Sequence, residues 1–178
     1  MKVVGIAGSL RSGSYSHTLL EIALTMAKSP DVEVETIDLR NMTLPFCDAS
    51  SDYSNFPDVK ILQQKCKEAD AIILVSPEYH GSMSGVLKNA LDLLTFEHVE
   101  GKLFALIEVT GGEVSTNAIN MMRIVCRHLH AWVLPYHLSV PYSNQAFDEN
   151  RHLKDEKLSK RLKDLIEHLI VYTQKFRK

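Results

Sequence analysis

Hydrophobic positions along the chain follow two patterns that alternate regularly. Uninterrupted apolar runs at 2–8, 70–76 and 102–110 are typical of strands covered on both faces. The alternating segment 32–39 and the weaker run 131–139 predict two further strands. Between and after these strands, apolar residues recur at helical spacing. We therefore predict helices at 16–29, 58–69, 84–96, 115–130 and 154–176, with Ser16 as the N-cap of the first and an irregular stretch over 40–56.

Strands that alternate with helices favour a mostly parallel sheet with helices on both faces. We expect residues 1–178 to form a single α/β domain of three layers, with five parallel strands in the flavodoxin-like order 2-1-3-4-5. In such sheets ligands bind beyond the carboxyl ends of the strands, beside the first strand. This topology brings three loops together, namely 8–17, 76–84 and 110–115.

Composition narrows the classes of function. The chain has 178 residues, of which 45% are hydrophobic and 24% charged, and a formal net charge of −2. This near-neutral charge gives no general attraction for nucleic acid. The apolar runs are far shorter than the roughly 18 residues that span a bilayer, so membrane insertion is not expected. The cysteines are few, odd in number and widely spaced, which indicates reduced thiols in a cytoplasmic protein: Cys47, Cys66 and Cys126.

The histidines near the end of the predicted fourth helix do not suggest a metal site. His128 and His130 are two positions apart, so they do not share a helical face, and the nearby His137 completes no ligand set. We expect no metal ion.

The first loop, "GSLRSGSYSH" over 8–17, joins a buried strand to a helix. Unpaired N–H groups and the dipole at a helix N-terminus favour an anion, and Arg11 and the serine hydroxyls add donors. The loop has neither the GxGxxG pattern nor the lysine of a P-loop, so a terminal monophosphate fits better than a dinucleotide. By itself, the loop is equally consistent with a solvated turn.

The other two loops have different chemistry. The segment "SPEYHGSMSG" over 76–85 offers the flat faces of Tyr79 and His80, and Gly81 leaves room for a ring. The paired glycines of "TGGEVST" over 110–116 could present consecutive N–H groups to a partial negative charge. Together the three loops suit a flat ring that carries a phosphate tail, although each is also compatible with an ordinary connection.

Two of these segments carry a resemblance to a known family. "GSLRSGSYS" resembles the G-S-x-R-x-x-S-x-[NT] motif of the NADPH-dependent FMN reductases. "SPEYHGSMSGVLKNALD" is similar to their S-P-E-Y-N-x-S-x-P-x-x-L-K-N-A-x-D segment. The resemblance implies a flavodoxin-like fold, bound FMN, NADPH or NADH as hydride donor, and flavin, quinone or azo compounds as acceptors. It also implies a homodimer or homotetramer.

The resemblance also implies the roles of particular residues. The phosphate positions correspond to Ser9, Arg11, Ser14 and Ser16, with Tyr15 donating its backbone N–H. The isoalloxazine loop corresponds to Pro77, Glu78, Tyr79, His80 and Gly81. Backbone donors near the pyrimidine edge of the flavin correspond to Gly111 and Gly112. The chain departs from the usual pattern at three positions, with Ser16 in place of Asn or Thr, His80 in place of Asn, and Ser84 in place of Pro.

No side chain is predicted to be catalytic, because the flavin carries out hydride transfer and the protein positions the reactants. We expect Glu78 to be structural and to cap the next helix. The predicted fourth helix carries an apolar stripe that favours core packing over a cofactor site: Ile119, Met121, Met122 and Val125. Part of this stripe, together with Leu93, Leu94 and Phe96, also fits a subunit interface. Two other functions remain open, since fold does not fix function: a flavodoxin-like electron carrier, and a redox-dependent flavin-binding regulatory module without its own NAD(P)H activity.

Overall fold

The computed structural model describes residues 1–50 and 52–176 and contains one twisted sheet. Its parallel strands are β1 (Lys2–Ala7), β2 (Glu33–Ile37), β3 (Ala71–Tyr79), β5 (Leu103–Val109) and β6 (Trp132–Val140). A short strand, β4 (Ser82–Met83), follows β3 along the chain. The order β2-β1-β3-β5-β6 confirms the predicted flavodoxin-like sheet. The prediction omitted β4, which pairs antiparallel with the end of β3.

Helices cover both faces of the sheet, as predicted. They are α1 (Tyr15–Ala27), α2 (Pro57–Glu68), α3 (Gly85–Asp92), α4 (Phe96–Val99), α5 (Asn117–His128), α6 (Ser143–Ala146) and α7 (Glu156–Phe176). Successive strand side chains point to opposite faces, so each strand supplies two cores. Val3 and Ala7 pack with α1 and α7, whereas Val4 and Ile6 pack with α2, α3 and α5.

Two predicted helix boundaries are wrong. Ser14, not Ser16, is the N-cap of α1, because its Oγ accepts a hydrogen bond from the Ser16 N–H at 3.1 Å. The helix predicted over 84–96 is divided into α3 and α4. Thr95 adopts an extended backbone and donates its N–H to His98 Nδ1 at 2.9 Å, which begins a new helix. Leu93 and Leu94 are buried in the core, and Phe96 is exposed.

Gly8 brings the end of β1 into close contact with the start of α3. A Cβ at this position would lie 2.6 Å from Ser84 Oγ and 2.7 Å from Leu87 Cβ, which are both far below van der Waals distance. Ser84 in turn caps α3, since its Oγ accepts from the Leu87 N–H at 3.2 Å. The Ser84 N–H donates to Ser76 Oγ at 3.0 Å. The first loop and the segment after β3 are therefore packed directly against each other.

Glu108 is a fully buried carboxyl group on β5. Its Oε2 accepts from the backbone N–H groups of Ala118 at 2.9 Å and Ile119 at 3.4 Å, in the first turn of α5. Its Oε1 accepts from Ser139 Oγ on β6 at 2.8 Å. These bonds satisfy N–H groups that a helix N-terminus leaves unpaired. They also fix α5 beside the loop that follows β5.

The cysteines are free thiols, as predicted. Burial raises the pKa of Cys66 to about 12 and that of Cys126 to about 12, so both stay protonated at neutral pH. Of the helices in the described part of the chain, none is long and apolar enough to cross a membrane.

Glu108→Ala should lower the free energy of unfolding by about 2–5 kcal/mol, because it leaves two backbone N–H groups and a hydroxyl buried without their acceptor. Urea denaturation followed by circular dichroism measures this change. Glu113→Ala, at an exposed acid in the adjacent loop, is the matched control and should change stability by less than about 0.5 kcal/mol. Equal effects of the two substitutions would contradict this role for Glu108.

Candidate functional site

The three predicted loops meet at the carboxyl edge of the sheet, around a cavity of about 190 Å³. Most of the residues predicted from sequence line it: Ser9, Arg11, Ser14, Tyr15, Ser16, Pro77, Glu78, Tyr79 and Gly111. Val109 and Ser143 also line it. The other predicted residues, His80, Gly81 and Gly112, are neighbours of lining residues along the chain but are outside the lining itself.

The first loop is shaped by hydrogen bonds from its own residues. The Arg11 N–H donates to Ser9 Oγ at 3.3 Å, and the buried His17 ring holds the Ser9 carbonyl oxygen through Nε2 at 2.8 Å. Tyr15 is the first residue of α1, where no helical carbonyl is available to its N–H. The arrangement thus offers an unpaired N–H and the positive end of the helix dipole, with the exposed Arg11 nearby. Its chemistry suits an anion.

The second loop is a tight hairpin between β3 and β4. Tyr79 pairs with Ser82, and the two residues between them, His80 and Gly81, have φ values of 51° and 78°. Positive φ at both central positions is the property of a type I′ turn, which Asn favours more than His does at its first position. His80, whose side chain is exposed, occupies this turn position, at which the family motif has Asn.

Glu78 holds this hairpin together. Its Oε1 accepts a hydrogen bond from the Gly81 N–H at 3.1 Å. This bond agrees with the expected structural role. The expectation that Glu78 caps the next helix is wrong, because Ser84 is that cap. The hairpin fixes the backbone of 77–79 at the cavity wall.

The third loop folds back on itself after β5. Thr110 Oγ1 is within hydrogen-bonding distance of the carbonyl oxygens of Gly112, at 2.9 Å, and Glu113, at 2.8 Å. The Tyr142 N–H also donates to the Gly112 oxygen at 2.8 Å. Gly111 is left at the cavity, whereas Gly112 is engaged with the segment that follows β6.

That segment was not identified from the sequence. Ser143 lines the cavity, and Phe147 stacks on the Tyr15 ring with centroids 5.1 Å apart and planes 7° apart. Arg151 binds the first loop from outside, 138 positions along the chain from Gly13. No local motif marks these residues, because their partners are brought to them only by the fold. His17 was also missed, although its partner Ser9 lies in the same loop.

A metal centre receives no support from the geometry. In the part of the chain that the structure describes, no three His, Cys, Asp or Glu side chains gather closely enough to hold a metal ion. Burial, together with the charges of Arg123 and Arg161, lowers the pKa of His137. That ring is therefore placed among cations.

Comparison with known proteins decides the family. The model of the NADPH-dependent FMN reductase family matches residues 1–145. The chain belongs to this family. The resemblance seen in the two loop motifs is thereby confirmed, and with it the predicted oxidoreductase class, FMN as cofactor and NAD(P)H as hydride donor.

Two curated members of the family illustrate its range. The NADPH-dependent FMN reductase ArsH of Rhizobium meliloti is 32% identical over 177 residues, which cover 97% of this chain and 72% of the relative. The FMN-dependent NADPH-azoreductase of Staphylococcus haemolyticus is 29% identical over 178 residues, which cover 97% of this chain and 95% of the relative. Two relatives that are about equally identical to this chain are thus named for different acceptors, one as an FMN reductase and the other as an azoreductase.

Solved structures support the fold. The apo form of the NADH:FMN oxidoreductase EMOB superposes with a TM-score of 0.80 at 22% identity, covering 96% of this chain and 89% of that one. The NAD(P)H:(acceptor) oxidoreductase FerB of Paracoccus denitrificans gives a TM-score of 0.74 at 23% identity, covering 98% of both chains. At these identities the likeness concerns the fold alone.

Arg11→Ala should lower the affinity for FMN about 10- to 100-fold, the effect of losing a charge-assisted hydrogen bond to phosphate. Because Arg11 is exposed, stability should change by less than about 0.5 kcal/mol. Flavin fluorescence titration of the apoprotein and thermal unfolding measure the two effects. The control is Arg127→Ala, at an exposed arginine in the last turn of α5. A large loss of stability in Arg11→Ala would make Arg11 a structural residue instead.

Proposed function

We propose that the protein is an FMN-dependent NAD(P)H oxidoreductase that passes hydride through FMN to small flavin, quinone or azo acceptors. The observation that carries this proposal is the junction of three loops at one cavity, in a chain of the FMN reductase family. The named activities of the Rhizobium reductase and the Staphylococcus azoreductase support the choice of acceptors.

The lining residues fit the two ends of FMN. We assign the phosphate to the first loop, which offers Ser9, Ser14 and Ser16 hydroxyls, the Tyr15 N–H and the Arg11 guanidinium. Hydroxyls, helix N-terminal N–H groups and a guanidinium are the donors that a phosphate dianion prefers. The serines at this wall are largely buried, which limits competition from water.

We assign the ring to the wall formed by 77–79 and Gly111. Bound FMN supplies the hydride transfer chemistry between the nicotinamide and the acceptor. The chain holds the ring from one side with a backbone that the Glu78–Gly81 bond keeps rigid. In this assignment His80 and Gly81 shape the hairpin, and Gly112 anchors the loop that presents Gly111. Rigid support of this kind favours a fixed orientation of the reactants.

We further propose that residues 1–178 act as one FMN-binding domain in the cytoplasm, where the buried thiols of Cys66 and Cys126 would stay reduced. The predicted homodimer or homotetramer is part of this proposal. Its support is an apolar cavity of about 430 Å³ beside Tyr79, at which Leu10 is 56% exposed and Phe46 is 88% exposed. Covering such side chains with a second copy would remove apolar surface from water.

The oligomer is tested by light scattering. The unaltered chain should have the mass of a dimer or tetramer, and Phe46→Ser should shift it towards the monomer, because it removes apolar area from the contact. Phe176→Ser, at an exposed aromatic residue at the other end of the sheet, is the control. A monomeric unaltered chain would contradict the proposal.

The reaction is tested with FMN-loaded protein under anaerobic conditions. NADPH should bleach the visible absorbance of the flavin, and addition of a quinone or an azo dye should restore it. Arg127→Ala should behave like the unaltered chain. Failure to bind FMN would overturn the proposal. Slow bleaching by NADPH with rapid reduction by a partner reductase would instead identify an electron carrier.

A further inference from the structure

Arg151 contacts the first loop and lies outside the set of residues that line the cavity. Its Nη2 donates to the carbonyl oxygens of Gly13 at 2.9 Å and Ser14 at 3.3 Å, and its Nε donates to Thr18 Oγ1 at 2.7 Å. The guanidinium also lies 5.9 Å from the centre of the Tyr15 ring. One side chain therefore spans the last turn of the loop and the first turn of α1.

The position of Arg151 is set by a short hairpin. Phe147 pairs with Leu153, and Asp148 accepts from the Arg151 N–H at 3.0 Å through its carbonyl and from the His152 N–H at 2.7 Å through Oδ1. Arg151 itself has a φ of 64°. A non-glycine residue in the left-handed region is held there by its surroundings. The hairpin is therefore a rigid support for the guanidinium.

Arg151 binds the carbonyl oxygens of two peptide groups whose N–H groups belong to Ser14 and Tyr15. In a trans peptide the C=O and the N–H point in opposite directions. The Gly13 carbonyl shares its peptide group with the Ser14 N–H, and the Ser14 carbonyl shares its group with the Tyr15 N–H. Ser14 and Tyr15 line the cavity. A cation on the carbonyl side polarises the peptide group and strengthens the N–H as a donor on the opposite side.

We infer that Arg151 is a positioning residue for the phosphate site, which acts through the Ser14 and Tyr15 peptide groups and makes the site select phosphorylated flavin. This inference rests on the proposed FMN site. Arg151 lies beyond residues 1–145, the segment that the family model matches. Its role follows from hydrogen bonds within this chain. Arg11 approaches the anion from the loop itself. Arg151 instead orders and polarises the Ser14 and Tyr15 peptide groups from their carbonyl side.

The test compares FMN with riboflavin, which has the same ring but no phosphate. Apoprotein is titrated with each flavin, for the unaltered chain, Arg151→Ala, Arg151→Lys and the control Arg127→Ala. Arg151→Ala should weaken FMN binding about tenfold, equivalent to about 1.4 kcal/mol, and change riboflavin binding less than about twofold. Arg151→Lys should weaken FMN binding about threefold, because an ammonium keeps the charge but lacks the planar fork.

The outcomes separate this inference from the function on which it rests. Equal losses of FMN and riboflavin affinity would make Arg151 a structural residue and overturn the inference, as would unchanged FMN affinity in Arg151→Ala. If Arg151→Ala does not fold, the FMN-to-riboflavin ratio of Arg151→Lys decides, and an unchanged ratio overturns the inference. Failure of the unaltered chain to bind FMN would overturn the proposed function itself.

Discussion

The contact between Gly8 and the first turn of α3 is the constraint on which the site depends. Any side chain at Gly8 would overlap Ser84 and Leu87, so only glycine lets the end of β1 lie this close to the start of α3. Ser84 then connects to Ser76 at the end of β3. The first loop and the segment 77–79, to which we assign the phosphate and the ring, are thus separated by a distance that is fixed in the core.

A second constraint is a row of polar residues across the sheet just below the cavity. Ser76, Glu108 and Ser139 occupy neighbouring register positions on three adjacent strands, and all are buried. Buried polar groups are costly unless they are paired, and these groups bond to helix termini or to one another. They orient the helices that follow the strands. The loops above them are therefore held at both ends, although the loops themselves are polar and irregular.

Sequence reasoning predicted the features that follow from local pattern. Strand order and the meeting of three loops follow from the alternation of strands and helices. Most of the residues that line the cavity were instead implied by the resemblance of two loop motifs to the FMN reductase family. The N-cap was misplaced because Ser14 and Ser16 are chemically equivalent, and only the backbone conformation distinguishes them. The break before α4 depends on a Thr95–His98 bond that apolar periodicity cannot reveal. Arg151 was missed because its hydrogen-bond partners lie far away in the chain.

The separation of 138 positions between Gly13 and Arg151 has a consequence for biosynthesis. During vectorial synthesis, β1, β2 and β3 emerge from the ribosome long before the 147–153 hairpin does. A nascent chain that has assembled these strands already presents the serines and Arg11. The Gly13 and Ser14 carbonyl groups, however, still lack their hydrogen bonds from Arg151. Closing so long a loop is entropically unfavourable until the intervening strands have formed. If Arg151 has the role that we infer, full affinity for FMN is therefore one of the last properties that the growing polypeptide acquires.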